Sequence, residues 1–249
     1  MAKIETHRDG AVFHITIDRP EKKNALTGDM YNALADAIKQ GEGDADARVL
    51  LLYGAGETFC AGNDLKDFVE KPWRADAVPP QVRVMRAFAA ARKPIVAAVQ
   101  GAAVGIGTTI LLHCDLLYAA EGASFVTPFV NLGIVPEAGS TVLLPLLIGK
   151  HRAAELFMLC SPLNAQRAFE IGLVNAVVPR EKLLSTAAQA AQQLAAKPAE
   201  AILACKELMK RPFRAEVERA IEEEAAVVGE RLDSPESKQA IAAFLGRKA

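Results

Sequence analysis

The chain has 249 residues, 51% of them apolar, with 29 Lys plus Arg against 30 Asp plus Glu. That is enough for one large buried core, with or without an appendage, and a net charge of −1 gives no long-range pull on nucleic acid or an anionic membrane. Cys60, Cys114, Cys160 and Cys205 stand far apart with no CxxC pair, the usage of a reducing compartment.

The opening KIETH, a turn at Asp9-Gly10 and the alternating AVFHITID predict a β-hairpin. RPEKKNAL reads as a polar loop, after which Thr27 caps a helix running to about Gly41 with Met30, Leu34, Ala37 and Ile38 on one face. RVLLLYG is a short, wholly apolar run, the pattern of a strand buried on both faces. A helix is expected from near Asp64, an irregular loop over residues 71–80 and another helix over 81–91. IVAAV is a further buried strand, followed by a glycine turn, a helix to His113 and the strand DLLYA. Strands alternating with helices predict parallel pairing.

Beyond Pro136 helices dominate, at 138–148, 150–159, 165–171, 180–196, 198–210, 213–231 and 234–246, with NAVVP the one strand candidate among them. Residues 94–114 carry no formal charge and have the length of a membrane span. Pro94, Gln100, three glycines and His113 break any continuous apolar helix there, so no membrane is expected. MAKIETHRDG lacks an apolar run behind its charges and LGRKA is no peroxisomal tripeptide, so the expected location is cytoplasmic.

Three stretches invite a chemical reading. GAAVGIG (101–107) joins a strand to a helix without the spacing of a dinucleotide fingerprint or a P-loop. It is either a tight turn or a turn whose free N–H groups bind an oxyanion. TFCAGNDLKDF (58–68) has the same strand-to-helix design, with Asp64 as a helix cap. Two such turns converging on one carbonyl oxygen would make an oxyanion hole. No G-x-S-x-G elbow is present, and His113-Cys114-Asp115 cannot converge on a metal from adjacent positions, so no metal is expected. Glu137, in NLGIVPEAGST (131–141), is the one charged residue between Glu121 and Lys150. Either it opens a helix, favoured by the helix dipole, or it performs chemistry.

Over nearly its full length the chain resembles the crotonase, or enoyl-CoA hydratase/isomerase, superfamily. The matching landmarks are IDRPEKKNAL, FCAGNDLKDF, KPIVAAVQGAAVGIG, CDLLYAAEGASFVTP, LGIVPEAGST, IGKHRAAELFM and GLVNAVVP. The resemblance implies an α/β spiral of ββα turns over residues 1–190 and a helical oligomerisation region over 191–249, assembled as a homotrimer or a dimer of trimers. It implies an acyl-CoA thioester substrate and no separate cofactor. It places oxyanion donors at the N–H groups of Asn63 and Ile106, and substrate contacts at Ala25, Ala61, Gly62, Asp64, Leu65, Lys66 and Phe129, with Lys22 or Lys23 near the CoA phosphates. Thr109 and Phe129 occupy the two positions where typical hydratases carry glutamates. TPFVNLGIVPEAGS is similar to the segment that supplies the single base of peroxisomal-type Δ3,Δ2-enoyl-CoA isomerases. That subgroup makes Glu137 the base of a 3-enoyl-CoA isomerase. The alternatives are another crotonase reaction, such as hydration, or a silent acyl-CoA-binding subunit.

Overall fold

The computed structural model describes residues 3–70 and 77–246. β1 (Lys3–Asp9) and β2 (Val12–Asp18) form the expected antiparallel hairpin. α1 (Gly28–Gly43) follows, with the Thr27 side chain accepting from the Met30 N–H at 3.3 Å. Then come β3 (Val49–Gly54), α2 (Leu65–Glu70), α3 (Pro80–Ala90) and β4 (Ile95–Val99). Of the irregular loop expected over 71–80, residues 71–76 lie outside the described residues, and α3 begins at Pro80.

The glycine turn contains a strand that the sequence pattern does not announce, β5 (Ala102–Val104). The helix expected to reach His113 is α-helical only over Ile106–Thr109 (α4) and tightens to a 3-10 turn over Ile110–His113. After β6 (Leu116–Ala120) comes β7 (Ser124–Val126), and the C-terminal half adds α5 (Ser140–Ile148), α6 (Lys150–Leu159), β8 (Leu163–Asn164), α7 (Ala165–Glu170) and β9 (Ala176–Val178). β8 is thus a second strand where NAVVP alone was expected; two residues are too short to leave a periodic signature. α8 (Leu183–Ala195), α9 (Ala199–Lys210), α10 (Arg214–Leu232) and α11 (Pro235–Gly246) complete the chain.

The main sheet runs β1-β2-β3-β4-β6-β9, parallel apart from the β1–β2 pair. Alternation along β3 explains its wholly apolar sequence. Leu50 and Leu52 face a cluster with Leu34 and Ile38 of α1 and Phe88 of α3, while Val49 and Leu51 face Leu183, Ala187 and Ala191 of α8. Both faces are covered, as a parallel sheet requires. The smaller sheet, β5-β7-β8, is built from the turns that leave the main sheet. No helix among the described residues is long and apolar enough to cross a membrane, and residues 94–114 divide into β4, a turn, β5 and α4 with its 3-10 extension.

The C-terminal helices are tied into the core. Lys206, buried, donates to the Lys93 carbonyl at 2.8 Å and pairs with Asp115 at 2.7 Å, while Lys210 donates to the Ala89 and Ala91 carbonyls. On α10, inside the region 191–249 that the resemblance assigns to oligomerisation, the apolar stripe Ile221, Ala225, Val228, Leu232 turns inward within its own chain. Ile221 and Val228 are only 1% and 2% exposed, and α10 packs against α3 and α5. The apolar side chains left in solvent are elsewhere, among them Leu146, Leu147, Met158, Leu159, Leu208 and Met209.

Candidate active site

The two glycine turns run side by side. The Phe59 N–H donates to the Gln100 carbonyl at 2.7 Å, Cys60 N–H to Ala102 at 3.1 Å, and Val104 N–H to Cys60 at 2.9 Å. This short parallel bridge carries the second turn past the first. Glycine is needed for the approach: Gly62 has φ +85°, and a Cβ on it would sit 2.8 Å from the Val104 carbonyl oxygen, while one on Gly107 would meet the Cys60 oxygen at 2.7 Å. The N–H groups of Asn63 and Ile106, at the end of each turn, donate to no carbonyl among the described residues. α4 has a single turn, so a free N–H rather than a macrodipole is what this element offers an oxyanion.

The loop before α1 lies over the first turn. Leu26 N–H reaches the Gly62 carbonyl at 2.8 Å, Asp64 N–H reaches Leu26 at 2.9 Å, and Ala61 N–H reaches Lys23 at 3.0 Å. Ala25, Ala61, Gly62, Asp64 and Leu65 are thereby brought together, with Lys22, Lys23 and Lys66 exposed around them. Asp64 caps α2, as its position suggests, accepting from the Lys66 and Asp67 N–H groups at 3.1 and 3.4 Å, and it also pairs with Arg19 at 2.8 Å. Partial burial pushes its carboxyl up, but the Arg19 hydrogen bond and the backbone donors outweigh that and hold it below the usual range. Its charge is committed to the loop rather than offered to a ligand. Asn24, fully buried with a left-handed backbone, accepts from the Arg19 N–H at 2.8 Å and donates to the Ala55 and Thr58 carbonyls at 2.8 and 2.6 Å. It organises the whole loop.

Glu137 lies ahead of α5, not within it: the helix starts at Ser140 with Gly139 as its cap. The helix-opening reading therefore fails on geometry. Ala138 and Gly139 both have φ of +68°, a strained conformation for alanine, so the turn must be held from outside. His113 Nε2–H donates to the Ala138 carbonyl at 2.8 Å, and burial pushes this histidine down to about 4, so it is a neutral donor. From α10, the Glu224 carboxylate accepts from the Gly139 N–H at 2.6 Å and from the Thr141 N–H and hydroxyl at 3.0 and 2.5 Å.

Glu137 is 4% exposed, and its Oε1 has no hydrogen-bond partner among the described residues. Desolvation first, then the negative charge of Glu224, pushes it up to about 8. Tyr31 of α1 is near enough that the Glu137 charge acts on it, and its hydroxyl donates to Asn63 Oδ1 at 2.6 Å. One buried phenol thus links the neighbourhood of the carboxylate to the residue whose backbone N–H ends the first turn. The two hydratase positions are closed. Thr109 is fully buried with its hydroxyl turned back on the helix carbonyls, and the Phe129 ring packs beside Gly105. Among the described residues no group of three His, Cys, Asp or Glu side chains is placed to hold a metal.

A family model for enoyl-CoA hydratase/isomerase matches residues 7–249. The chain belongs to this family. It is 40% identical over 204 residues to the 1,2-epoxyphenylacetyl-CoA isomerase of Escherichia coli K12, covering 80% of this chain and 78% of that one. It is 34% identical to the enoyl-CoA delta isomerase 2 of Rattus norvegicus over 245 residues, 96% of this chain and 62% of the rat protein. The crystal structure of an enoyl-CoA hydratase/isomerase from Pseudoalteromonas atlantica superposes with a TM-score of 0.93 at 37% identity, covering 99% of this chain and 98% of that one. The enoyl-CoA hydratase/isomerase fold accounts for the paired turns and for the α/β spiral closed by helices.

Sequence reasoning missed Tyr31, Asn24, His113 and Glu224 as parts of this site. For Glu224 a signal existed: Val217, Ile221, Glu224 and Val228 follow helical spacing, so an acid stands on the apolar stripe of α10. Within the run Glu222-Glu223-Glu224 it reads as one more solvated charge.

Proposed function

We propose that the protein is an acyl-CoA isomerase that moves a 3-enoyl-CoA double bond to the 2-position, with Glu137 as its single base. The observation that carries this reading is the desolvated Glu137 carboxyl with an unpartnered oxygen, set where Thr109 and Phe129 supply no second carboxylate and the neighbouring Glu224 is engaged with Gly139 and Thr141. The thioester oxygen accepts from the N–H groups of Asn63 and Ile106. Glu137 takes a proton from C2, and the C–H electrons become the enolate. As the enolate collapses, C2=C3 forms and the former C3=C4 pair takes the proton at C4 from the same carboxyl. No water and no separate cofactor enters, and an apolar surround suits both the base strength and the exclusion of water.

Incubation with a 3-enoyl-CoA tests this. The conjugated 2-enoyl product is expected; a 3-hydroxyacyl-CoA would mean hydration, and an unchanged substrate would mean a silent binding subunit. The 40% identity to the Escherichia coli epoxyphenylacetyl-CoA isomerase favours a second substrate, an epoxide of an arylacetyl-CoA, which belongs in the same assay. For assembly we propose a homotrimer or a dimer of trimers. Its contacts would lie on the exposed apolar ends of α5, α6 and α9, and sedimentation at micromolar concentration is the test.

A further inference from the structure

We propose that Glu224 is a positioning residue for Glu137, holding the turn that carries the base and keeping its own negative charge beside it. This rests on the reading of Glu137 as the base. The segment 131–141 is fastened to the C-terminal helices at three places. Ser237 Oγ donates to the Leu132 carbonyl at 2.9 Å, Arg231 Nε donates to the Gly133 carbonyl at 2.9 Å, and Glu224 takes the Gly139 N–H and both donors of Thr141. The first two hold the approach to Glu137. Of these three, Glu224 is the one that grips the left-handed turn immediately after it, opposite the His113 contact to the Ala138 carbonyl.

The hydrogen bonds also say where the charge of the pair resides. Glu224 Oε2 accepts from Gly139 and Oε1 accepts twice from Thr141, so both oxygens act as acceptors, the arrangement of an ionised carboxylate. Glu137, with Oε1 unpartnered in an apolar setting, is the member that keeps a proton. The other groups facing this turn do not cancel that charge. Tyr31, from α1, is a buried phenol pushed up by burial and then by Glu137 itself. His113, whose Nε2–H is spent on the Ala138 carbonyl, stays neutral. Lys206 and Lys210 on α9 act on His113, while burial and Glu224 are what act on Glu137. Burial raises Glu224 too, against the Thr141 and Gly139 donors that lower it, so on this proposal the proton of the pair rests preferentially on Glu137, and the charge beside it comes from a helix about 85 residues further along the chain.

The test is Glu224→Gln, read in two ways. The carboxyl infrared band of Glu137, isolated by difference against a Glu137→Gln partner at each pH, follows its protonation without reference to catalysis. Its midpoint is expected to fall by on the order of one pH unit when the neighbouring charge is removed. The second reading is kcat and KM for 3-enoyl-CoA across pH. Because Gln cannot accept the Gly139 N–H with its amide nitrogen, the high-pH plateau of kcat is expected to fall about tenfold at unchanged KM. Glu224→Asp keeps the charge and shortens the reach, so it should lower the plateau while leaving the midpoint high. A folded Glu224→Gln protein with the wild-type midpoint overturns the proposal. Should that variant not fold, Thr141→Val, at an exposed position, strips one donor from Glu224. Wild-type kcat in Thr141→Val then overturns the proposal, and a lowered plateau at unchanged KM supports it. A midpoint that moves in a protein with no activity on 3-enoyl-CoA upholds the role of Glu224 and defeats the isomerase reading instead.

Discussion

The turns at 59–64 and 101–106 are held by backbone, whereas the turn at 137–139 is held by side chains. In the first pair, carbonyl and N–H groups of one turn bond those of the other, and glycines at 62 and 107 permit the contact. In the turn carrying Glu137, the fixing groups are a histidine at the end of the 3-10 extension of α4 and a glutamate on α10. A backbone lattice survives side-chain substitution. A side-chain clamp can be loosened by one change and answers to charge. On the proposed mechanism, the difference separates a fixed anion receptor from an adjustable base.

Glu137→Gln should break that contrast most completely. It removes the proposed base and leaves the proposed oxyanion donors untouched, so isomerisation should fall by at least about 10²-fold while acyl-CoA binding, measured by calorimetry, is kept. Near-normal turnover would place the base elsewhere. Ile106→Pro attacks the other side. Proline suits the first position of a helix but lacks the N–H, so loss of this donor should cost about 3 kcal/mol in the transition state, roughly a hundredfold in kcat. A folded Ile106→Pro protein turning over at the wild-type rate would show that this N–H does not hold the enolate.

Tyr31→Phe tests the link between the regions. Deleting the hydroxyl that fixes Asn63 Oδ1 should slow kcat by roughly tenfold or less with KM unchanged, since the half-buried Asn63 finds water in its place. An effect confined to KM would assign Tyr31 to ground-state binding.

The smallest effect is on stability. Glu137 is raised from 4.5 to about 8 in the folded protein, so between those pH values the native state binds more protons than the unfolded chain, and stability falls as pH rises. His113, lowered from 6.5 to about 4, has the opposite sign: stability is lost as pH falls through that window. Melting curves from pH 4 to 9 should show the decline toward pH 8 flattened in Glu137→Gln. An identical slope in both proteins would mean that the carboxyl is not desolvated.

Much of this architecture was legible in the sequence, and the reason is local. The hairpin, the buried runs of β3 and β4, the Thr27 cap and most helix limits follow from periodicity and from single residues acting on their neighbours. The glycine turns were visible because a close backbone approach writes itself as glycine. β5, β7 and β8 were not foreseen, since strands of two or three residues are defined by their partners rather than by a pattern of their own. The inward course of the α10 stripe was missed because an amphipathic helix shows that a face is covered but not by what.

Glu137 divides in the same way. The sequence by itself determined that one carboxylate stood in an apolar segment after Pro136, and the resemblance implied that Thr109 and Phe129 stand where typical hydratases carry glutamates. Its placement outside the helix, its unpartnered oxygen, the Tyr31–Asn63 contact and the grip of Glu224 were decided only by the tertiary structure. The physical reason is that desolvation and charge depend on which groups surround an atom in space, and the chain assembles those surroundings from residues that are distant in sequence.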